Sequence, residues 1–527
     1  MGSRHYQGLG RSRSAWVAPV STSGISGCVQ DSQNMTLPRL ALALSVAIAL
    51  GCHGSAHPSH STPPQVAKGF PATRWVPANP TYVLASPTVR DAQRSVKDII
   101  DSIGVIGGVD AAEVARDLGR LIAIDPLNPD ALTAMGIDLE GGIVMFSEDV
   151  APTFVVQIAA PDAVQAFFDR QRERGLVTQS VVVEGTELFT AQLPGGAQVK
   201  VSWAVAADWL WVHFSLPFAH DDGPTWFTSS HRPEGPAWAK AWQWASTAVT
   251  AAKPALIGFV DAHDVIASIV GKMPDALACA KLLEPVRRVG IAVEGGPKRA
   301  SGKLTIDIGP AAASVASAIL PGPPGFAGLA ETAPLAVQWN VDLLAVRAWL
   351  QPCLKAMNQD TSVLDRSGVR SVRAVLRSLD PADKSATGAV SLDLAQKRYF
   401  DALLDEVPLR STLERSRTYG AYKGHSLTVP FVATLDYVLT DQLGLAGIGD
   451  GLLMQMLGAG GMRKGPIAAI DIAPPALSPE AWHMLLTSIG IRRVDDVVAQ
   501  LVRWRDGHFA VTIEGTSLVV TAAGNRR

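Results

Sequence analysis

The chain lacks the motifs by which the common catalytic classes are recognised. It contains no G-x-S-x-G elbow, no H-E-x-x-H zinc pair and no G-x-x-x-x-G-K-[ST] phosphate loop. Charged residues make up only 18% of its 527 residues, and the formal net charge is -2. This composition offers no basic stripe for a nucleic acid. The sequence therefore predicts no nucleic-acid partner, no cofactor, no metal site and no catalytic residue.

Long apolar runs are also scarce, and none after residue 52 makes a convincing membrane helix. The nearest is residues 443–462, LGLAGIGDGLLMQMLGAGGM. Asp450 near its centre costs roughly 2.5–3.5 kcal/mol on insertion, and glycine costs about 1 kcal/mol relative to alanine at each helical position. We expect a loop or short helix whose Met454 and Met456 adapt to an apolar surface. That surface is either an apolar ligand or partner, or the protein's own core.

One short apolar run does stand out near the start of the chain. Leu40 to Leu50 is unbroken, Arg39 precedes it, and Gly51 and Cys52 follow. The run is too short for a spanning helix and has the length of a signal-peptide core. With the cysteine directly after it, the segment resembles a bacterial lipoprotein signal.

This resemblance implies that Cys52 is acylated and becomes the new N-terminus, so that the chain is anchored to a membrane. The alternative is an ordinary signal peptide cut nearby, with Cys52 incidental. His53 is not the aspartate of an inner-membrane retention signal, which favours an outer-membrane location facing the periplasm or the cell surface. Cys279 and Cys353 are then left in an oxidising compartment, either as a disulfide or as two buried thiols.

The remainder predicts an α+β fold in two domains, with mostly antiparallel sheets and helices on one face. Leu335 to Val341 alternates as a strand, and helical spacing follows to Leu350. The predicted divisions are 1–34, an extension or over-called start; 35–51, the signal; 52–71, a polar tether; 72–320, the N-terminal domain; 321–329, a Pro/Gly linker; and 330–527, the C-terminal domain.

An internal similarity suggests that the domains repeat a strand–helix–hairpin unit. Residues 154–188 and 467–518 both run from a strand through helical sequence to a Glu-Gly turn signal, VVVEGTEL in one and VTIEGTSL in the other. Glu294–Gly295 is a weaker third instance. Residues 80–215, with TYVLASP, DPLNPDALTAMGIDLEGGIVMF and PTFVVQIAAPDAVQAFFDR, resemble exported bacterial families whose function is not established.

Tryptophan is concentrated in one region: seven of the thirteen fall between residues 203 and 244. Trp203, Trp209 and Trp211 share parity in a strand-like segment, which predicts that they lie on one face of a sheet. Trp238 and Trp242 are one helical turn apart. Such a row is either an exposed ledge for sugar rings or an apolar ligand, or the core beneath one sheet.

Three functions compete on these observations. The first is a non-enzymatic envelope lipoprotein that binds or assembles, with an apolar ligand or an envelope partner. The second is glycan or cell-wall binding through the tryptophan row. The third is a hydrolase of unrecognised class around His220–His231, where AHDDGPTWFTSSH gathers imidazoles and carboxylates that equally suit a solvated loop.

Overall fold

The structure is a computed structural model, and it describes most of the chain beyond the predicted tether. The described residues are 69–77, 80–107, 125–148, 151–173, 178–192, 199–215, 226–227, 254–263, 265, 282–296, 298–356, 368–383, 385–405, 410–429, 433–449, 451–458, 460–488 and 494–527. Outside them lie the predicted signal with Cys52, Cys279, Trp238 and Trp242, and the segment His220–His231 except for Trp226 and Phe227.

Within this part of the chain, strands outnumber helices. The strands are β1 (Tyr82–Ser86), β2 (Ile143–Ser147), β3 (Thr153–Gln157), β4 (Thr178–Val183), β5 (Thr186–Gln192), β6 (Lys200–Ala206), β7 (Trp209–Ser215), β8 (Leu256–Asp261), β9 (Arg288–Gly295), β10 (Arg299–Asp307), β11 (Pro321–Gly322), β12 (Leu335–Trp339), β13 (Val369–Asp380), β14 (Ser385–Leu394), β15 (Glu414–Tyr419), β16 (Tyr422–Val429), β17 (Ala433–Leu439), β18 (Leu443–Ile448), β19 (Arg463–Lys464), β20 (Ala468–Ile472), β21 (Trp504–Glu514) and β22 (Ser517–Arg526).

Most of the helices are short, and they lie between the strands along the chain. They are α1 (Val89–Gly107), α2 (Pro129–Ala134), α3 (Pro161–Glu173), α4 (Ala311–Ser317), α5 (Phe326–Glu331), α6 (Leu343–Ala356), α7 (Arg398–Asp405), α8 (Arg410–Leu413), α9 (Leu452–Leu457), α10 (Pro479–Ser488) and α11 (Val494–Leu501). None of the helices in the described ranges is long and apolar enough to cross a membrane.

Twenty of the strands form one sheet in which every pairing is antiparallel. The pairings give the spatial order β4–β5–β6–β7–β3–β2–β1–β8–β9–β10–β22–β21–β20–β12–β13–β14–β18–β17–β16–β15. The remaining two strands, β11 and β19, pair with each other. The predicted α+β fold with mostly antiparallel strands is confirmed at this level.

The strand order has an internal symmetry. From the edge strand β4 to the middle of the sheet, the first ten strands of the chain lie in the spatial order 4-5-6-7-3-2-1-8-9-10. From the opposite edge strand, β15, to the middle, the later strands repeat that order one for one, with β19 left out: β15–β16–β17–β18–β14–β13–β12–β20–β21–β22. The two runs meet where the last strand of each pairs with the other, β10 with β22.

Local sequence signals account for several of these elements. The predicted alternating strand from Leu335 is β12, and α6 follows it because the Asp342 side chain accepts hydrogen bonds from the first turn, at 3.0 Å from the Leu344 nitrogen. The two predicted Glu-Gly turns are also hairpins. Glu184 and Gly185, both at positive φ, connect β4 to β5, and Gly515 lies in the turn between β21 and β22.

Helices pack against both faces of the sheet, so the prediction that they cover one face is wrong. Neighbouring residues of β12 point to opposite faces. Ala336 lies in a buried cluster with Phe326 of α5, whereas Leu335 contacts the cluster that contains Trp482 of α10. The alternation in β12 could not reveal this, because both of its faces carry apolar residues.

Among the described residues, Arg373 has the most deeply buried charged side chain. It is only 1% exposed, and it donates to Asp393 on β14 at 2.9 Å, to the carbonyl of Leu320 at 3.1 Å and to the Asn340 side chain. Burial lowers the pKa of Arg373, while the charge of Asp393 opposes that shift. Gly322 is tight against it, since a Cβ there would lie 2.5 Å from the Arg373 Nε. This network fixes the start of the predicted linker against β12, β13 and β14.

We predict that Arg373→Met destabilises the fold by about 3–5 kcal/mol, because it removes the guanidinium that the half-buried carboxylate of Asp393 and the buried amide oxygen of Asn340 bind. Arg377→Met on the same strand removes an exposed hydrogen bond to Thr332 and should stay within about 0.5 kcal/mol. Urea denaturation of both variants measures the difference. Equal stabilities for the two variants would contradict the assigned role of Arg373.

Candidate functional site

The tryptophan hairpin of β6 and β7 does not present one aromatic face. Ala207 and Asp208 form its two-residue turn with φ of 48° and 64°, and Ala204 pairs with Trp211 while Trp203 pairs with Val212. Paired residues share a face, so Trp203 lies on the face opposite Trp209 and Trp211. The prediction that the three share a face is wrong, because the turn shifts the parity between the two strands.

All three of these tryptophans are packed inside the protein. Trp211 is 0% exposed and Trp203 is 2% exposed. Trp75 contacts Trp211 edge-on at 5.0 Å between ring centroids, and Trp203 is stacked on Phe168 at 4.3 Å on the other face. These rings therefore form core on both faces of the sheet, and they offer no ledge to a sugar.

The apolar segment 443–462 folds as a strand followed by a short helix. It begins with β18, a strand that the sequence analysis did not predict, and continues into α9, which is a short helix as expected. Met456 is fully buried beside Leu453, whereas Met454 is 45% exposed. The two methionines thus have different roles: Met456 is a core residue, and Met454 is available for contact with another molecule.

A group of titratable side chains surrounds Glu414, at the start of β15. One carboxylate oxygen accepts from the hydroxyl of Tyr437 and lies 2.7 Å from the Nδ1 of His425. The other carboxylate oxygen lies 3.1 Å from the Nε of Arg410. The same guanidinium also binds the exposed carboxylate of Asp405, through Nη1 at 2.6 Å. Antiparallel pairing of β16 with β17 stacks His425 on Tyr437 at 5.2 Å.

The electrostatics of this cluster favour a charged carboxylate. Burial alone would raise the pKa of Glu414, but the hydrogen bond from Tyr437 and the positive charge of Arg410 outweigh it and hold that pKa below its usual value. Burial, together with the hydrogen bond to Glu414, raises the pKa of Tyr437 to about 12. Tyr437 therefore stays protonated and Glu414 stays ionised near neutral pH.

This cluster holds neighbouring elements of the fold together and is not arranged as a catalytic acid–base pair. Both oxygens of Glu414 are already engaged by neighbouring side chains, and a general base needs a free lone pair near pH 7. The cluster joins α8 to β16 and β17. It escaped the sequence analysis because its members come from separate elements, and only the charged run at 414–417 marks it locally.

A hydrogen-bonded pair of titratable side chains bridges neighbouring strands near the middle of the sheet. His508 on β21 faces Asp471 on β20, and their side chains are hydrogen-bonded. This hydrogen bond raises the pKa of His508 against the opposing effect of burial. The described ranges contain no group of three or more His, Cys, Asp or Glu side chains arranged to hold a metal ion.

The remaining predicted residues are only partly placed. Cys353, in α6, is disulfide-bonded, and its partner lies outside the described residues, as do all the other cysteines. The pairing with Cys279 stays a prediction. Segment His220–His231 is outside the described residues apart from the buried Trp226 and Phe227.

Comparison with known proteins adds little to this picture. No family model matches the chain, and no curated protein matches it. One solved structure, crystal form III of TP0453, is similar over 45% of this chain and 79% of its own, at 11% sequence identity and a TM-score of 0.25. A likeness at that level supports no conclusion about fold or function.

We predict that Glu414→Gln lowers stability by about 2 kcal/mol at about pH 7, because it weakens hydrogen bonds to charged partners in a partly buried cluster. The pKa of Glu414 is lowered in the folded state, so its contribution is present above the unfolded carboxylate pKa and is lost as pH falls through the folded one. The gap between variant and parent should therefore close on acidification, as measured by urea denaturation.

Asp405→Asn is the matched control, since Asp405 also binds Arg410 but its side chain is 71% exposed. Exposed ion pairs contribute little, and we expect a change below about 1 kcal/mol. Equal losses of stability from both variants, or a loss from Glu414→Gln that is unchanged in acid, would contradict the stabilising role of Glu414.

Proposed function

We propose that this protein is an exported, lipid-anchored component of the bacterial envelope that binds or assembles and does not catalyse. The observation that carries the proposal is the sequence from Leu40 to Cys52, an apolar run followed by a small residue and a cysteine. The anchor is the acylated Cys52, and the body lies at the outer membrane, facing the periplasm or the cell surface.

The body of the protein supports a binding role over a catalytic one. Its most enzyme-like cluster, around Glu414, uses its carboxylate oxygens in internal contacts. The aromatic side chains of the hairpin β6–β7 and their aromatic neighbours pack in buried clusters on the sheet. The glycan alternative loses Trp203, Trp209 and Trp211, which are core residues, and keeps only Trp238 and Trp242 as candidates.

We also propose that the body is a tandem duplication, with domains at about 72–320 and 330–527. The support is the repeated strand order on either side of the β10–β22 junction. The repeat is larger than the predicted strand–helix–hairpin unit. By position in the sheet, residues 467–518 correspond to the run from β8 through β9 to the start of β10, which contains Glu294–Gly295, because β20–β21–β22 and β8–β9–β10 are equivalent runs. The segment 154–188 occupies a different place.

Within this body, the surface around α9 is the candidate contact for an apolar ligand or partner. Met454 is 45% exposed and Met462 is 40% exposed on either side of a glycine-rich turn. Thioether side chains are adaptable and suit apolar surfaces of varied shape. Met456 is excluded from this role by its burial.

We predict that Cys52→Ser releases the protein from the membrane fraction or stalls its processing. Stable anchoring needs the several acyl chains of this modification, because a single chain binds only marginally at ~0.8 kcal/mol per CH₂. Fractionation, together with the mass of the mature N-terminus, measures the outcome. Unchanged fractionation with an unmodified N-terminal mass would overturn the anchor.

We predict that Met454→Lys lowers the amount of apolar ligand that co-purifies with the full chain, as measured by native mass spectrometry. A desolvated lysine on an apolar contact is unfavourable, and the exposed position tolerates it without loss of fold. The double variant His220→Ala, His231→Ala is the control and should leave ligand mass unchanged. Loss of ligand from the histidine variant and not from Met454→Lys would overturn the assignment of the ligand contact to α9, and loss of an activity from the histidine variant alone would favour the hydrolase alternative.

A further inference from the structure

The two ends of the long sheet occupy equivalent places in the repeated strand order. β4 ends one side and β15 ends the other, and among the described residues each pairs with only one neighbouring strand. Both have six residues and lead into a two-residue turn. An unpaired strand edge presents backbone N–H and C=O groups that can accept another strand.

The β4 edge carries no protection against such pairing. Its sequence is TQSVVV, without a charged residue or proline between Thr178 and Val183. Val182 is 69% exposed and Val181 is 45% exposed. Because neighbouring residues of a strand point to opposite faces, these two side chains report on both faces of β4. The strand is therefore open on both faces as well as along its edge.

The β15 edge has the opposite chemistry. Its sequence is ERSRTY, and Arg415, Ser416 and Arg417 are exposed. Charged residues on an edge strand oppose the approach of another strand. A second copy of β15 centred on Ser416 would place Arg415 opposite Arg417, and like charges directly opposite are destabilising. The same place in the fold is thus protected in one half and open in the other.

We propose that β4 is a dimerisation edge, which pairs antiparallel with β4 of a second copy of this chain and joins two sheets into one. The molecule already uses this mode internally, where β10 and β22 join two ten-stranded runs edge to edge. A neutral strand meets its own copy without charge repulsion, which favours a second copy over a partner selected by charge.

The hairpin turn fixes the register of this pairing. In a two-residue hairpin the residues that flank the turn form a doubly hydrogen-bonded pair, here Val183 with Thr186. Residues 181 and 179 then also point their backbone groups toward β5, and residues 182, 180 and 178 point theirs outward. Antiparallel pairing of two such edges uses the most hydrogen bonds when Ser180 faces Ser180, with Thr178 opposite Val182.

The contact is small, which sets its strength. Six residues extend about 20 Å, and the area that they bury is below the roughly 1,000 Å² of a stable interface. The dimer should therefore depend on protein concentration. Confinement of the chain to a surface would raise its local concentration and favour pairing.

A cysteine placed on the two-fold axis tests the register. Opposed residues in a doubly hydrogen-bonded pair have Cα atoms about 5.5 Å apart, within the range that a disulfide spans. The full chain with Ser180→Cys should form a disulfide-linked dimer under mild oxidation, seen as doubled mass on a non-reducing gel. Ser416→Cys, at the matching position of β15, should form no crosslink and run at the mass of a single chain on the same gel, as the parent does.

Charge exchange at the same position separates pairing from misfolding. Ser180→Lys and Ser180→Asp should each lose the concentration-dependent dimer in sedimentation velocity, because like charges then face each other across the axis. Mixing the two variants should restore a dimer that contains one chain of each. Equal crosslinking of Ser180→Cys and Ser416→Cys, a monomeric parent at all concentrations, or a mixture that stays monomeric would overturn the proposal.

Discussion

The pairing of β10 with β22 is the constraint on which the rest of the sheet depends. Each ten-stranded run ends in a strand that would be an open edge if the run stood alone. Nine residue pairs, from Arg299–Asn525 to Asp307–Ser517, close both edges at once. Leu304 lies opposite Val520, so that apolar side chains seal one face of the junction. Arg526 of β22 also binds Asp98 of α1, which adds a charged contact between the halves.

The two charged clusters of the sheet, around Arg373 and Glu414, are acceptable because their charged groups have hydrogen-bond partners. The guanidinium of Arg373 has a carboxylate, an amide oxygen and a backbone carbonyl as acceptors, and Glu414 has Tyr437, His425 and Arg410 as donors. A buried charge without such partners costs several kcal/mol. Completeness also explains why the Glu414 cluster holds elements together and has little capacity left for an incoming proton or substrate.

Local pattern predicted much of the fold, as β12 followed by α6 and the two Glu-Gly hairpins show. Long-range order was beyond its reach, because nothing local in β10 indicates that β22 is its neighbour. The tryptophan row failed for a different reason. Ala207 and Asp208 both adopt positive φ. Asp208 is a turn-forming residue and Ala207 is not, so the turn that puts Trp203 and Trp211 on opposite faces was only weakly marked in the sequence. The Glu414 cluster likewise depends on strand register, which sequence alone did not supply.

The separation of β10 from β22 along the chain has a consequence for how the protein reaches its native state. The paired residues are more than 200 positions apart, and contacts between distant residues must overcome a large loop-closure entropy before they contribute. Each run can complete its own hairpins early, whereas the seam between them closes only after the final strand is available. Until that moment the β10 edge is uncovered and open to the wrong neighbour. The sheet is therefore complete only when β22 pairs with β10.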